Sequence, residues 1–143
     1  MIQYKTISVI FILNSKNELA LQLRAGKDDS FPLHWDFSVG GSIDEGEDPL
    51  TAAKREAKEE LGIDINPEFI AEDNLTYKAW DPSITREEHV FIFKTIYNGE
   101  FHPNSEEVEK VDFFSLEKIR EMIKNGEKFH PGFLLVWNKG LLN

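Results

Sequence analysis

The sequence contains no cysteine, and its basic residues are outnumbered by its acidic residues. The absence of cysteine excludes disulfide bonds, thiolate nucleophiles and thiolate-ligated zinc or iron–sulfur sites, so any chemistry must use oxygen and nitrogen groups. With 16 Lys and Arg against 26 Asp and Glu, the formal net charge is −10. This balance disfavours a general nucleic-acid surface, because phosphate backbones are held by clustered Lys and Arg. An anionic ligand would need help from a cation.

Long hydrophobic runs are also missing. The longest purely apolar run near the N-terminus, residues 9–13, is far shorter than the roughly 20 residues of a membrane span, and no basic prelude or cleavage-site pattern accompanies it. We therefore expect no membrane partner and a cytoplasmic location. The 143 residues, 41% hydrophobic and 29% charged, are typical of a globular chain of one domain. We expect a single domain over residues 1–143.

The hydrophobic pattern predicts a mixed α/β fold. Two apolar strands separated by the polar turn at residues 14–17 indicate an opening hairpin, and a loop is expected at residues 81–86. The predicted strands are residues 6–13, 19–23, 33–39 (ending at Gly40-Gly41), 68–79, 89–97 and 108–114, and the predicted helices are residues 49–61, 116–125 and 131–141.

The helix at residues 49–61 has clear end signals. Asp48 suits the N-cap, Pro49 suits the first helical position, and Gly62 suits the left-handed position that ends a helix. Its apolar residues recur every three or four positions and predict one stripe that packs against a sheet, made of Leu50, Ala53, Ala57 and Leu61.

Three glutamates of this helix, Glu56, Glu59 and Glu60, share one face. Like charges at these spacings destabilise an isolated helix by about 0.2–0.5 kcal/mol per pair. One interpretation is an ordinary solvated acidic face. The other is a site for a hard divalent cation, which carboxylate oxygens bind and which can bridge to substrate phosphates.

The spacing around these glutamates resembles a known family motif. Gly41, Glu47 and residues 55–63 (REAKEELGI) follow the pattern GX5EX7REUXEEXGU, in which U is aliphatic. This segment resembles the Nudix box, and every fixed position agrees. Ala57 stands at an aliphatic position usually filled by a bulkier residue, which should affect packing more than chemistry. The order of predicted elements is also similar to the Nudix fold, a mixed β-sheet sandwiched between α-helices.

The resemblance implies a reaction and a set of roles. Nudix hydrolases use a metal-activated water to cleave a diphosphate linked to a group X, with Mg²⁺ or Mn²⁺ as cofactor. By position, Glu56, Glu59 and Glu60 are the implied metal ligands, joined by the carbonyl of Gly40. Arg55 would orient the glutamates, and Glu47 would brace the loop against the helix.

Three rival functions follow from the same resemblance. Residues 35–41 and 87–91 (WDFSVGG and EEHVF) are similar to Nudix proteins that also resemble isopentenyl-diphosphate isomerase. That isomerase depends on an active-site cysteine and a nearby metal-binding histidine, whose places hold Gly40 and Ser42 here, so hydrolysis is favoured. A binding domain without turnover is disfavoured by the intact box. RNA decapping is disfavoured because no basic tract is present.

Outside the box, several residues have both a functional and an ordinary interpretation. Glu87 or Glu88, expected where residues 81–86 meet the next strand, would supply the further carboxylate that the family often uses, or would lie in a solvated loop. Arg24, with Lys27, would meet substrate phosphate or remain a surface residue. Trp35 and Trp80 would contact substrate, although aromatic residues more often pack in the core. The four histidines lack metal-ligand spacing and are read as surface or core residues.

The identity of X does not follow from the box. Nucleoside triphosphates, dinucleoside polyphosphates, nucleotide sugars, ADP-ribose and coenzymes all remain open, with a nucleoside di- or triphosphate derivative preferred. The expected partner is therefore a small nucleotide or other diphosphate. Oligomeric state stays open between a monomer and a homodimer, since many family members are dimers and no interface is marked in the sequence.

Overall fold

The computed structural model describes residues 1–142. In chain order the elements are β1 (Ile2–Leu13), β2 (Glu18–Arg24), β3 (Trp35–Asp36), β4 (Val39–Ser42), α1 (Pro49–Leu61), β5 (Glu68–Lys78), β6 (Thr85–Ile96), β7 (Val108–Ser115), α2 (Leu116–Lys124) and α3 (Pro131–Trp137). Within residues 1–142, no helix is both long and apolar enough to cross a membrane.

All seven strands form one mixed sheet. The central path runs β3-β2-β1-β6-β5, while β4 pairs with β1 and β7 pairs with β2. Strands β1 and β6 are parallel over their whole length, and the other pairs are antiparallel. The predicted α+β architecture is therefore confirmed.

The alternation of side chains along β1 divides the core into two layers. Val9 and Phe11 point to the layer covered by α2 and α3, whereas Ile10 and Ile12 point to the layer covered by α1. Because successive side chains of a strand face opposite sides, an unbroken apolar strand is the pattern of a sheet buried on both faces. The sheet is thus sandwiched between helices, as the resemblance implies.

Four sequence predictions need correction. The predicted strand at residues 33–39 is two short strands, and Gly40 and Gly41 lie within β4 because they pair with β1. Strand β1 begins at Ile2 rather than at residue 6, because parallel pairing with β6 continues to that end. The same pairing starts β6 at Thr85, so the loop predicted at residues 81–86 is shorter. Helix α3 ends at Trp137 rather than at residue 141.

Helix α1 has the predicted bounds and caps. The Asp48 side chain accepts the amide of Thr51 over 2.8 Å, Pro49 opens the helix, and Gly62 is left-handed with φ of 66°. Its buried face contains Ala52, Ala53, Ala57 and Leu61, whereas Leu50 is 37% exposed. The predicted stripe is therefore right in three of four positions, and Ala52 rather than Leu50 faces the sheet.

Candidate functional site

A single arginine joins the loop before α1 to the acidic face of the helix. Arg55 donates from Nε and Nη2 to the two carboxylate oxygens of Glu47 over 2.8 and 2.9 Å. Its Nη1 donates to Glu56 Oε1 over 2.8 Å and to Glu59 Oε2 over 3.3 Å. A further bond of 3.0 Å reaches the carbonyl of Ser42 at the end of β4. The guanidinium therefore joins strand β4, the loop before α1 and the helix itself.

These contacts shift the pKa values of both partners. Hydrogen bonding to Arg55, with the amide of Asp44, lowers the pKa of Glu47 to about 2. The hydrogen bonds that Arg55 donates to Glu47 and Glu56 raise the pKa of Arg55. Both groups stay ionised across the neutral range, so the loop remains attached to the helix.

Glu60 is the buried member of the three glutamates. It is 5% exposed, and its Oε1 accepts bonds from Gln22 Nε2 at 2.8 Å and from the amide of Gly40 at 3.3 Å. Burial, and next the adjacent carboxylate of Glu56, raises the pKa of Glu60. Gln22 lies on β2 and was not singled out by the sequence, because only the pairing of distant strands brings it to α1.

Gly41 allows the Glu56 carboxylate to lie directly on the backbone of β4. A Cβ atom at Gly41 would lie 2.2 Å from Cδ of Glu56 and 2.4 and 2.6 Å from its carboxylate oxygens. Real Cβ atoms do not approach other atoms so closely. Gly41, the first glycine of the motif, is therefore required because the carboxylate of Glu56 occupies the space that a side chain at this position would need.

Three of the four predicted metal ligands lie together. Glu56 and Glu60 are adjacent, and Gly40 is beside Glu60. The Glu59 side chain is 51% exposed and turned to Arg55. Within residues 1–142, no group of three or more Asp, Glu or His residues has the arrangement of a metal site. The donor set of Glu56 and Glu60 suits a hard cation such as Mg²⁺ or Mn²⁺, but Glu59 would have to leave Arg55 to join it.

A cavity of about 320 Å³ opens beside this pair, and we call it the box cavity. Its walls include Gln22, Gly40, Glu56 and Glu60 together with Glu107, which lies in the loop before β7. Partial removal from water, followed by the charges of Glu56 and Glu59, raises the pKa of Glu107. The sequence did not indicate Glu107; the pairing of β7 with β2 carries it to the site.

The chain matches the family model described as the NUDIX domain over residues 3–135. It belongs to the Nudix hydrolase family. An uncharacterized Nudix hydrolase of Listeria innocua, lin0387, is 32% identical over 88% of this chain and 72% of its own length. Isopentenyl-diphosphate Delta-isomerase 1 of Photorhabdus laumondii is 34% identical over 93% of this chain and 77% of its own length.

Solved structures agree with the Nudix fold. The MutT protein of Methanosarcina mazei Go1 has a TM-score of 0.78 at 21% identity, covering 96% of this chain and 92% of its own. DR0079 of Deinococcus radiodurans has a TM-score of 0.72 at 20% identity, covering 94% of this chain and 82% of its own. The Nudix assignment made from residues 41–63 is thus confirmed for family, fold and enzyme class.

Beyond the box, this Nudix hydrolase has a second cavity of about 410 Å³, which we call the Glu88 cavity. The adjacent candidates Glu87 and Glu88 lie on opposite faces of β6 because they are neighbours on a strand. Glu88 is 5% exposed and borders this cavity, where its Oε2 accepts Tyr77 Oη at 2.8 Å and Arg86 Nη1 at 3.2 Å. Glu87 lines neither this cavity nor the box cavity, but it lines a surface depression with Tyr4 and His89 that Glu88 also borders. Glu88 is therefore not in a solvated loop.

Arg24 lies where the two cavities meet. It donates to Asp36 over 3.0 Å, to Asp28 over 3.1 Å and to the carbonyl of Ser30 over 3.0 Å. Arg24, Asp28, Asp36, Phe37 and Gly40 line both cavities. Arg24 thus lines both cavities with its charge already compensated, while Lys27 pairs with Glu106 outside both cavities.

Neither predicted tryptophan lines the two cavities. Trp35 is 9% exposed and packs edge to face on Phe114, with ring centroids 5.2 Å apart. Trp80 is 49% exposed and packs against Phe31 and His34, at centroid distances of 5.3 and 5.5 Å. The ordinary interpretation as a core residue fits Trp35, and Trp80 stands apart from the site.

Proposed function

We propose that this Nudix hydrolase is metal-dependent and cleaves the diphosphate linkage between a nucleoside and a group X by attack of water on phosphorus. The observation that carries the proposal is the ordered set of box residues: Arg55 holds Glu47 and Glu56 while Gln22 and Gly40 hold Glu60. A site that is held in place before substrate arrives lowers the barrier mainly by positioning and charge compensation.

Glu56 and Glu60 would hold Mg²⁺ or Mn²⁺, with Glu59 and the carbonyl of Gly40 as the further ligands. Such an ion supplies positive charge to the diphosphate and lowers the pKa of water at the site. Arg55 orients Glu56, and the hydrogen bonds from Gln22 and Gly40 fix the Glu60 carboxylate against the strand. These contacts give the two carboxylates defined directions in the box cavity.

Glu107 is the carboxylate outside the box that we assign to proton transfer. It shares the box cavity with Glu56 and Glu60, and its raised pKa makes its ionised form a stronger proton acceptor than an ordinary carboxylate. Glu88 lies in the neighbouring cavity and Glu87 lines neither cavity. The products would be two phosphate-bearing compounds.

Isomerisation is the second candidate, favoured by the identity to an isopentenyl-diphosphate isomerase. We favour hydrolysis because Gly40 and Ser42 stand where that isomerase has its cysteine and histidine, and the chain contains no cysteine. Incubation with isopentenyl diphosphate decides the matter: formation of the allylic isomer would support isomerisation over hydrolysis.

The direct experiment compares wild type with Glu60→Gln on a panel of nucleoside diphosphate derivatives with Mg²⁺ or Mn²⁺. Glutamine keeps the shape of the side chain but removes the anionic ligand, so turnover should fall by about 10²-fold or more while the fold persists. Glu87→Gln is the matched control because Glu87 lines neither of the two cavities. Near-normal turnover of Glu60→Gln, or ligand affinity without phosphate release by wild type, would contradict the proposal.

A further inference from the structure

The Glu88 cavity adjoins the place where the proposed reaction occurs. Gly40 lines both cavities, and Gly41, which lines the Glu88 cavity, lies against the carboxylate of Glu56, which lines the box cavity. A diphosphate held at Glu56 and Glu60 would therefore direct one of its substituents into the Glu88 cavity. The residues that line the Glu88 cavity indicate which kind of substituent it would bind.

The charges of the cavity are already compensated. Its basic side chains are Lys5, Arg24 and Arg86, and they face four acidic side chains. Arg24 is paired with two carboxylates and Arg86 with one, at 3.0 to 3.2 Å. Additional phosphate groups would meet an excess of negative charge, so this cavity does not suit a polyphosphate chain.

The walls also lack parallel aromatic surfaces. Phe37 is 4% exposed and packs edge to face on Phe133. Tyr77 and His130 meet edge to face, with centroids 5.3 Å apart and planes at 79°. A flat base is normally held by stacking on an open ring face, and these rings are arranged for packing against one another instead.

What the cavity does offer is a set of hydrogen-bonding groups. Glu88 has a side chain only 4% exposed, and both of its bonds fall on Oε2, so within residues 1–142 Oε1 is left without a partner. Arg86 Nε, which is buried and has no hydrogen-bond partner in the same range, is covered by protein and is not one of these groups.

His130 adds a donor in a fixed tautomer. Its Nδ1 accepts the amide hydrogen of Gly132 over 3.0 Å, and burial lowers its pKa, so the neutral ring carries its proton on Nε2. The cavity thus combines a free carboxylate oxygen of Glu88 with the N–H donor of His130. Groups that donate and accept at once, as hydroxyls do, satisfy such a set.

We propose that the Glu88 cavity is the subsite for X, and that X is an uncharged group carrying several hydroxyls, such as a glycosyl group, rather than further phosphates or a flat base. This inference rests on the proposed diphosphate hydrolysis and names its substrate class. Glu88 and His130 are the residues that determine specificity. A site built to bond a hydroxyl rejects an analogue without it strongly, because its buried polar groups are then left unpaired.

The test compares two compounds: a nucleoside diphosphate hexose and the same nucleoside diphosphate joined to a cyclohexyl group. For wild type we expect kcat/KM to favour the hexose by about 100-fold or more. Glu88→Gln should reduce this preference at least about tenfold, because the amide replaces one of the two acceptor oxygens by an NH2 group that can only donate. The neighbouring control Glu87→Gln should keep the wild-type preference. A wild-type preference near one, or one unchanged by Glu88→Gln, overturns the inference.

A second variant and a binding measurement cover the cases in which Glu88→Gln does not fold or neither compound is hydrolysed. If Glu88→Gln fails to fold, His130→Asn replaces it, since asparagine can still cap α3 but lacks the Nε2 donor; an unchanged preference would then count against the subsite. If neither compound is hydrolysed, calorimetric binding to wild type separates the two proposals. At least about tenfold tighter binding of the hexose would support the subsite while the hydrolysis proposal fails, and equal binding would overturn both.

Discussion

Arg55 donates two parallel hydrogen bonds, one from Nε and one from Nη2, to the two carboxylate oxygens of Glu47. The same guanidinium reaches Glu56 with its remaining nitrogen. A planar fork of this kind can hold a loop carboxylate and a helix carboxylate at fixed angles, which a single ammonium group cannot do.

Replacing Arg55 by lysine should therefore keep the positive charge but lower the rate of hydrolysis. We expect Arg55→Lys to reduce kcat by about 10- to 100-fold, because Glu47 and Glu56 would no longer be held together. Steady-state kinetics with Mg²⁺ measures this effect. Lys54→Arg on the exposed side of α1 is the control and should have wild-type kinetics; normal kcat in Arg55→Lys would show that the fork is dispensable.

Gly41 should tolerate no side chain. In Gly41→Ala the new methyl group would overlap the Glu56 carboxylate, and the flexible glutamate would move while the fold persists. A displacement of about 1 Å at a catalytic group can cost about 10²-fold in rate, and we expect a loss of that order. Gly26→Ala is the matched control, since its Cβ would meet no atom closer than 3.6 Å. Equal activity of the two variants would refute the role of Gly41.

Glu107 and Glu106 offer a neighbouring pair for testing proton transfer. Glu107 shares the box cavity with Glu56 and Glu60, whereas Glu106 pairs with Lys27 on the surface. Glu107→Gln should lower kcat by about 10²- to 10⁴-fold and remove the acidic limb of the pH–rate profile. Glu106→Gln should match wild type. If the acidic limb survives in Glu107→Gln, another group takes the proton.

His130 should make stability depend on pH. Burial lowers the pKa of folded His130, with Asp36 and Glu88 acting to raise it and Arg24 and Arg86 to lower it. An unfolded histidine titrates at about 6.5, so the unfolded chain takes up the proton first as pH falls. The contribution of His130 to the free energy of unfolding is therefore fully present above about pH 6.5 and is lost progressively as the pH falls below that value.

Urea denaturation at several pH values between about 5 and 8 measures this decline. His130→Asn keeps the cap of α3 but cannot titrate, so its free energy of unfolding should fall less steeply with acid than that of wild type. Tyr77, which packs edge to face on His130, is neutral throughout this range, since the ordinary pKa of tyrosine is about 10 and burial raises it further. Identical slopes for the two proteins would exclude His130 as the source.

Much of the box could be predicted from the sequence because its interactions are local. Asp48, Pro49 and Gly62 define the ends of α1, and residues on one turn of a helix must share a face, so the direction of Glu56 and Glu60 followed from spacing alone. The predictions failed where pairing with a distant strand decided the outcome. Glu87 and Glu88 were expected beside a loop, but parallel pairing with β1 extends β6 to Thr85 and buries Glu88.

By itself, the sequence determined the family, the helix that carries the glutamates, and the absence of thiol chemistry in a chain without cysteine. Only the tertiary structure decided which residues complete the site. Gln22, Glu107 and His130 lie far apart along the chain and have no motif of their own. They converge because seven strands pair in an order different from their order in sequence, and that order depends on how the whole sheet buries its two faces.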